Sequence, residues 1–78
     1  MKIYTYNGKS NLCGPRIRME RERQGLTQEQ LAARLQVVDI QLNQKAISRI
    51  ENGERLVADF ELKMLAQVLC VTAEQLLS

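Results

Sequence analysis

A stretch near the middle of the chain, NQKAISRIENG, carries polar side chains at spacings that suit hydrogen bonding to base edges of duplex DNA. Gln44 can bond an adenine edge through two hydrogen bonds. In a helix that begins at Gln44, the side chains of Lys45, Ser48 and Arg49 lie on one side, about one turn apart. The two isoleucines of the stretch then face inward. The alternative is that Gln44 is only a helix-start residue on a solvated face.

The residues before this stretch predict two helices. Pro15 suits a first helical turn, because its missing N–H would have no partner there, and the helix continues until Gly25. Thr27 and Gln30 then form a capping box, in which the threonine hydroxyl accepts a backbone N–H and the glutamine reaches back. This box opens a second helix over about residues 28 to 36.

The third predicted helix contains the polar stretch itself. Asn43 is expected to cap it, and Leu42 and Ile47 occupy the positions of a hydrophobic staple around that cap. Gly53 is well placed as the left-handed residue that closes the helix. A turn, GERLVA, leads on to the next element.

Two further helices complete the prediction. A fourth extends from about Asp59 to Cys70, and a last short helix follows a second capping box, Thr72 with Gln75. Apolar residues recur in the fourth helix at three- and four-residue intervals and should face the core: Leu62, Leu65, Ala66 and Leu69.

The composition agrees with one all-α domain. Seventy-eight residues suffice for one modest core, and the apolar residues are mainly Leu, Ile, Val and Ala, with only 4% aromatics. Residues 1 to 13 are predicted to form an N-terminal arm or one short strand, and residues 14 to 78 the domain. Residues 1 to 57 hold ten Lys or Arg against six acids, whereas residues 58 to 78 hold one Lys against three acids. The basic part is the part that would meet DNA, although small domains often show such asymmetry.

Other classes of function find little support in the residue types. The chain has no His, no paired Cys and no Gly-rich phosphate loop, so we expect no enzyme, metal, cofactor or small-molecule ligand. The pairs Glu20/Glu22 and Glu51/Glu54 are interpreted as surface or structural acids. Cys13 and Cys70 are expected to be reduced and partly buried. No apolar run approaches a membrane span or a signal peptide, so we expect a cytoplasmic protein without a membrane partner.

TQEQLA followed by ISRIENGER and LKMLAQVLCV resembles the lambda-repressor-like family of helix-turn-helix domains, also called the XRE or Cro type, over roughly residues 16 to 77. The resemblance implies a compact five-helix DNA-binding fold with helix three as the recognition helix. It also implies that Gln28 bonds a phosphate and braces Gln44, that Asn52 touches the DNA backbone and that Arg55 reaches another phosphate. The expected DNA-binding residues are Gln28, Asn43, Gln44, Lys45, Ser48, Arg49, Asn52 and Arg55.

Two further points follow from the resemblance. Arg21 with Glu51 fits a family pattern in which a buried ion pair ties helix one to helix three, since either charge alone would be costly to bury. The sequence departs from the common pattern between Leu35 and Ile47, which lie about five residues further apart than usual, with the extra residues in VVDIQ. The longer turn leaves the tilt of helix three open.

The expected function is sequence-specific binding of double-stranded DNA by a regulator of transcription, with repression as the expected sign. The alternative is a protein-interaction module, such as the antitoxin of a toxin-antitoxin pair. Phe60, Met64 and Val68 form an apolar stripe at four-residue spacing that suits either a homodimer or protein interface, or packing within the domain. DNA sites of such domains commonly have twofold symmetry, which favours a homodimer.

Overall fold

The computed structural model describes residues 5 to 78, and the first four residues of the expected arm lie outside this part. The predicted all-α fold with five helices is confirmed. The helices are α1 (Gly14–Arg23), α2 (Gln28–Val37), α3 (Gln44–Glu51), α4 (Asp59–Val68) and α5 (Ala73–Leu77). Helix α3 packs against α1 and α2, while α4 packs against α2 and α5, and α1 closes the bundle against α5. No helix in residues 5 to 78 is long and apolar enough to cross a membrane.

The helix starts follow the predicted capping chemistry. The Thr27 hydroxyl accepts the Gln30 N–H at 3.0 Å, and the Gln30 side chain accepts the Thr27 N–H at 2.8 Å. Thr72 and Gln75 repeat this box at the start of α5. The Asn43 side chain accepts the Ala46 N–H at 2.8 Å and so caps α3. These bonds satisfy amide groups that the helices themselves leave without partners.

Four of these helices end in a Schellman motif, in which one left-handed residue lets two amide N–H groups bond back to the helix end. Gly25 and Gly53 take this position after α1 and α3, with φ of 71° and 77°. After α2 and α4 the position is held by Asp39 and Cys70, with φ of 64° and 58°. Helix α4 therefore ends at Val68, two residues before its predicted end, because Cys70 already belongs to the turn.

The core lies between the five helices. The predicted staple residues Leu42 and Ile47 are both buried, so the long turn between α2 and α3 is anchored where it enters the third helix. The buried apolar side chains are those of Cys13, Ile17, Leu26, Leu31, Leu35, Leu42, Ile47, Ile50, Leu65, Ala66, Leu69 and Leu76.

Gly14 sets how closely α1 approaches α3. A Cβ atom at this position would overlap the carbonyl oxygen of Ile50 and would lie 3.1 Å from that of Glu51. Both obstacles are backbone atoms, which cannot rotate away. The absence of a side chain at Gly14 therefore fixes the position of the third helix against the first.

Within residues 5 to 13 there is a tight turn and no strand, while residues 1 to 4 of the expected arm or strand lie outside the described part. Backbone groups of Tyr6 and Lys9 bond each other at 2.7 and 3.0 Å, with Asn7 and Gly8 in left-handed conformations between them. We call Tyr6 to Lys9 the N-terminal turn. Directly after it, Asn11 donates to the carbonyls of Ile50 and Arg55 and accepts the Gly14 N–H, all at 2.8 to 2.9 Å.

The two cysteines differ in their surroundings. Cys13 is buried, and burial raises the pKa of its thiol. Cys70 is exposed, so the expectation that both are partly buried is wrong for this residue. Its place in the left-handed turn after α4 turns the side chain out of the core, and both thiols are free.

Candidate nucleic-acid interface

Helix α3 has one buried face and one exposed face. Ile47 and Ile50 are each only 1% exposed and anchor the buried face, as the sequence predicted. The opposite face carries Lys45, Ser48, Arg49 and Asn52. Ser48 and Arg49 each lie three or four residues from Lys45 and from Asn52, and all four are exposed apart from the half-buried Ser48. We call these four residues, together with Gln44, the α3 face. Its size and polarity suit the major groove, which is about 12 Å wide.

Asn43 and Gln44 lie at the N-terminal end of α3, and their side chains have different roles. The Asn43 side chain is engaged in capping α3, so its amide oxygen is already bonded to the Ala46 N–H. Gln44 is the first helical residue, and its side chain points toward α2, where its Nε2 donates to the Gln28 Oε1 at 2.6 Å. The structure thus brings Gln28 and Gln44 together, the arrangement that the family resemblance implies.

Gln28 is in turn held from the inside of the domain. Its Nε2 donates to Glu51 Oε1 at 3.0 Å, and the same carboxylate receives two bonds from Arg21, at 2.7 Å from Nε and 3.0 Å from Nη2. Arg21 also donates to the carbonyl of Leu26 at 2.7 Å. A continuous series of hydrogen bonds therefore runs from α1 through α3 and α2 to Gln44. We call Arg21, Glu51, Gln28 and Gln44 the polar relay.

The inner part of the relay is buried. Arg21 is 8% and Glu51 is 7% exposed, and the hydrogen bonds to Glu51 raise the pKa of Arg21 above its usual value. In residues 5 to 78, no buried side-chain nitrogen or oxygen lacks a partner. A buried ion pair of this kind is sensitive to loss of one partner, because the other charge would then be uncompensated. The relay therefore has a fixed inner end and an exposed outer end.

Arg49 lies on the α3 face as the sequence predicted, and Asn52, for which the family resemblance implies a contact with the DNA backbone, lies at the end of this face. The Arg49 guanidinium reaches the carbonyl of Glu54 at 3.4 Å, a weak contact at an exposed site, which leaves most of its donors facing solvent. Asn52 is exposed at the C-terminal end of α3, where its side chain is free to turn outward. Lys45 and Ser48 complete this surface between the two ends.

The structure does not add Arg55 to this surface. Its guanidinium makes two bonds to the Glu61 carboxylate, at 3.0 and 3.2 Å, and one to the carbonyl of Leu56 at 2.8 Å. Burial by itself would raise the pKa of Glu61, but hydrogen bonds from Arg55 and from the Ala58 N–H lower it below its usual value. A phosphate contact by Arg55 would compete with this pair. The pairing was not predicted from the sequence, because Arg55 lies in the turn before α4 and Glu61 lies six positions later, within that helix.

The apolar stripe on α4 divides in the structure. Met64 and Val68 are half-buried and pack against the core, whereas Phe60 is 60% exposed. Packing within the domain thus accounts for two of the three residues. Of the stripe, only Phe60 is exposed; Leu56, four residues earlier in the chain, is also 50% exposed.

Sequence reasoning missed the bond from Gln28 to Glu51, which joins the ion pair to the exposed glutamines. The two residues are 23 positions apart and lie on different helices, so no local spacing indicates their contact. It also missed Asn11 and Lys9 at the end of α3, where Ser10 N–H bonds the Gly53 carbonyl at 2.8 Å. An isolated Asn in a polar segment carries no signal of this kind.

Comparison with known proteins agrees with the geometry. A helix-turn-helix family model matches residues 17 to 76, which is 60 of the 78 residues. The chain therefore belongs to the XRE/lambda-repressor-like helix-turn-helix family, whose members are DNA-binding regulators. Searches of curated proteins and of solved structures gave no match.

Proposed function

We propose that the protein is a sequence-specific, double-stranded DNA-binding repressor that reads the major groove with α3. The observation that carries the proposal is the polar relay, which ends at an exposed Gln44 held at 2.6 Å by Gln28. A side chain already fixed in position loses little conformational entropy on binding, so it can discriminate between bases more sharply than a free one. The amide of Gln44 matches the donor and acceptor pair on the major-groove edge of adenine.

The remaining residues of the interface are proposed to contact the DNA backbone or neighbouring bases. At the start of α2, the second N–H of the Gln28 amide and the unpaired backbone amides of the first turn suit a phosphate. Lys45 and Arg49 supply positive charge along the α3 face, and Ser48 and Asn52 supply neutral hydrogen-bonding groups. We do not include Arg55, because its guanidinium is bonded to Glu61.

We infer that the protein acts as a homodimer on a symmetric site in the cytoplasm. One such domain buries a limited area on DNA and seldom gains high specificity alone. Exposed Phe60 and Leu56 offer apolar surface for association. The same exposed residues favour a second candidate function, binding to a protein partner as an antitoxin does. A protein that purifies only with a stoichiometric partner would support the second function, whereas unaided dimerisation and DNA binding would support the first.

The proposal is tested by selecting bound duplexes from a random pool and measuring affinity for the selected site against salt. We expect a symmetric consensus and a steep fall in affinity with added salt, because bound phosphates release counterions. Gln44→Ala combined with Arg49→Ala should lose discrimination among sites. Gln67→Ala, an exposed glutamine on α4, is the matched control and should change nothing. Selection that yields no consensus, or full discrimination by the double variant, would refute the role of α3.

A further inference from the structure

The N-terminal turn is attached to the C-terminal end of α3. The Ser10 N–H bonds the Gly53 carbonyl at 2.8 Å, and the Asn11 side chain bonds the Ile50 and Arg55 carbonyls at 2.9 and 2.8 Å. These bonds join two segments about forty residues apart in sequence. The residues directly after the turn therefore hold it at the C-terminal end of the third helix.

Lys9 occupies a defined place in this arrangement. Its Nζ lies 3.4 Å from the Asn52 carbonyl oxygen, and its aliphatic stem packs over Gly53, where an added Cβ would come within 2.6 Å of Lys9 Cδ. Asn52 is the last member of the α3 face. Lys9 therefore adds a positive charge at the C-terminal end of the helix that carries Lys45 and Arg49.

The charge and geometry of Lys9 suit an anion. Its ammonium group has three donors, of which the long, exposed bond to Asn52 uses one. A helix that enters the major groove by its N-terminal end brings Gln44 to the bases, and it leaves groups near its C-terminal end at the level of the phosphates that border the groove. Lys9 stands beside this C-terminal end on an exposed turn.

We propose that Lys9 binds a DNA phosphate at the border of the site read by α3, so that the N-terminal turn is part of the DNA interface. This inference rests on the proposed function. The contact adds affinity without sequence preference, since a lysine binds phosphate as a point charge. A purely structural role, in which Lys9 only neutralises the carbonyls at the end of α3, would affect folding and leave the salt dependence of DNA binding unchanged.

The test measures the affinity of Lys9→Gln for the selected duplex between 50 and 200 mM salt, roughly the range in which phosphate contacts dominate. We expect affinity to fall about fivefold at 0.1 M salt, by a similar factor for every variant of the site, and the slope of log affinity against log salt to shrink by about 0.9. Lys9→Arg, which keeps the positive charge, should retain both the affinity and the salt slope of the unaltered protein. Lys63→Gln, which removes a positive charge from an exposed position on α4, is the matched control and should retain the salt slope of the unaltered protein.

The outcomes separate this inference from the proposed function. If the unaltered protein binds no duplex with sequence preference, the proposed function fails. If it binds and Lys9→Gln keeps the full salt slope, only the role of Lys9 is overturned. A loss confined to one base pair of the site would also overturn it, because that result indicates base recognition. Thermal unfolding of each variant, followed by circular dichroism, verifies that binding is measured on folded protein.

Discussion

Two of the arginine–glutamate pairs in the domain join an element to a separate segment of the chain, and these two share chemistry but differ in surroundings. Arg21 and Glu51 join α1 to α3, and the side chain of Glu51 is only 2% exposed. Arg55 and Glu61 join the turn after α3 to the start of α4, with side chains 31% and 12% exposed. Each carboxylate also accepts one further bond, from Gln28 in the first case and from the Ala58 N–H in the second.

The difference shows what a buried pair adds to a binding domain. The more exposed pair, Arg55 with Glu61, which we call the outer pair, stabilises the start of its own helix, because Glu61 accepts the N–H of the N-cap residue Ala58. The buried pair, Arg21 with Glu51, which we call the inner pair, supports the interface, because its carboxylate positions Gln28 and, through it, Gln44. The same type of ion pair thus stabilises a helix start in one region and supports a recognition surface in the other. We expect changes to the two pairs to separate stability from DNA recognition.

Removing the charge of Glu51 should have the largest effect. Glu51→Gln leaves the buried Arg21 with only the exposed Glu22 carboxylate, 3.9 Å away, as a counter-charge, and we expect unfolding free energy to fall by about 3 kcal/mol. Urea denaturation measures the loss. A loss below about 1 kcal/mol would mean that the pair resembles the exposed one in strength, and the comparison would fail.

A double replacement separates the contribution of the Arg21–Glu51 pair to stability from its contribution to positioning Gln28. Arg21→Met with Glu51→Leu fills the site with apolar side chains, which often preserves or increases stability when a buried pair is replaced as a whole. We expect a folded domain that has lost the anchor of Gln28 and therefore discriminates poorly at the base that Gln44 contacts. If this variant keeps full discrimination, the polar relay is structural only.

The outer pair should give a smaller effect that depends on pH. Glu61→Gln is expected to lower unfolding free energy by about 1 kcal/mol near pH 7 without changing DNA affinity. The pKa of Glu61 is lowered in the folded state, so its contribution is present above its usual value of 4.5 and is lost as pH falls through the lower folded-state pKa. Denaturation curves of the two proteins should therefore converge in acid below pH 4.5. A difference in unfolding free energy between the two proteins that stays constant down to pH 2, roughly two units below the usual carboxylate range, would contradict this account.

The smallest effect is expected at the end of α4, which contributes no residue to the polar relay. Cys70 holds a left-handed conformation that glycine adopts without steric penalty, so Cys70→Gly should be neutral or raise unfolding free energy by up to about 1 kcal/mol. Thermal unfolding under reducing conditions measures the change, and DNA affinity should stay constant. Clear destabilisation would mean that the thiol makes a contribution which its exposure does not indicate.

Local signals in the sequence predicted most of the fold. Threonine–glutamine boxes, the Asn43 cap and apolar spacing are properties of neighbouring residues, and they placed all five helices. The left-handed conformations of Asp39 and Cys70 were not predicted, because residues other than glycine rarely adopt a positive φ and their identity therefore carries little signal.

The candidate site was less accessible to local reasoning. The exposed row on α3 follows from helical periodicity, but the contact of Gln28 with Gln44 and the pairing of Arg21 with Glu51 came only from resemblance to a family. The partners of Arg55 and Asn11 were not anticipated at all. Asn11 bonds carbonyls 39 and 44 residues away, and such contacts depend on how helices pack rather than on spacing along the chain.

The most direct test of the central claim is chemical-shift mapping of backbone and glutamine side-chain amides on titration with the selected duplex. The claim is that the exposed face of α3, held by the relay, meets the DNA. We predict the largest shifts at the start of α2, at residues 43 to 53 and at the side-chain amides of Gln28 and Gln44, with α4 little changed. Shifts concentrated on α4 and α5, with α3 unaffected, would contradict the account.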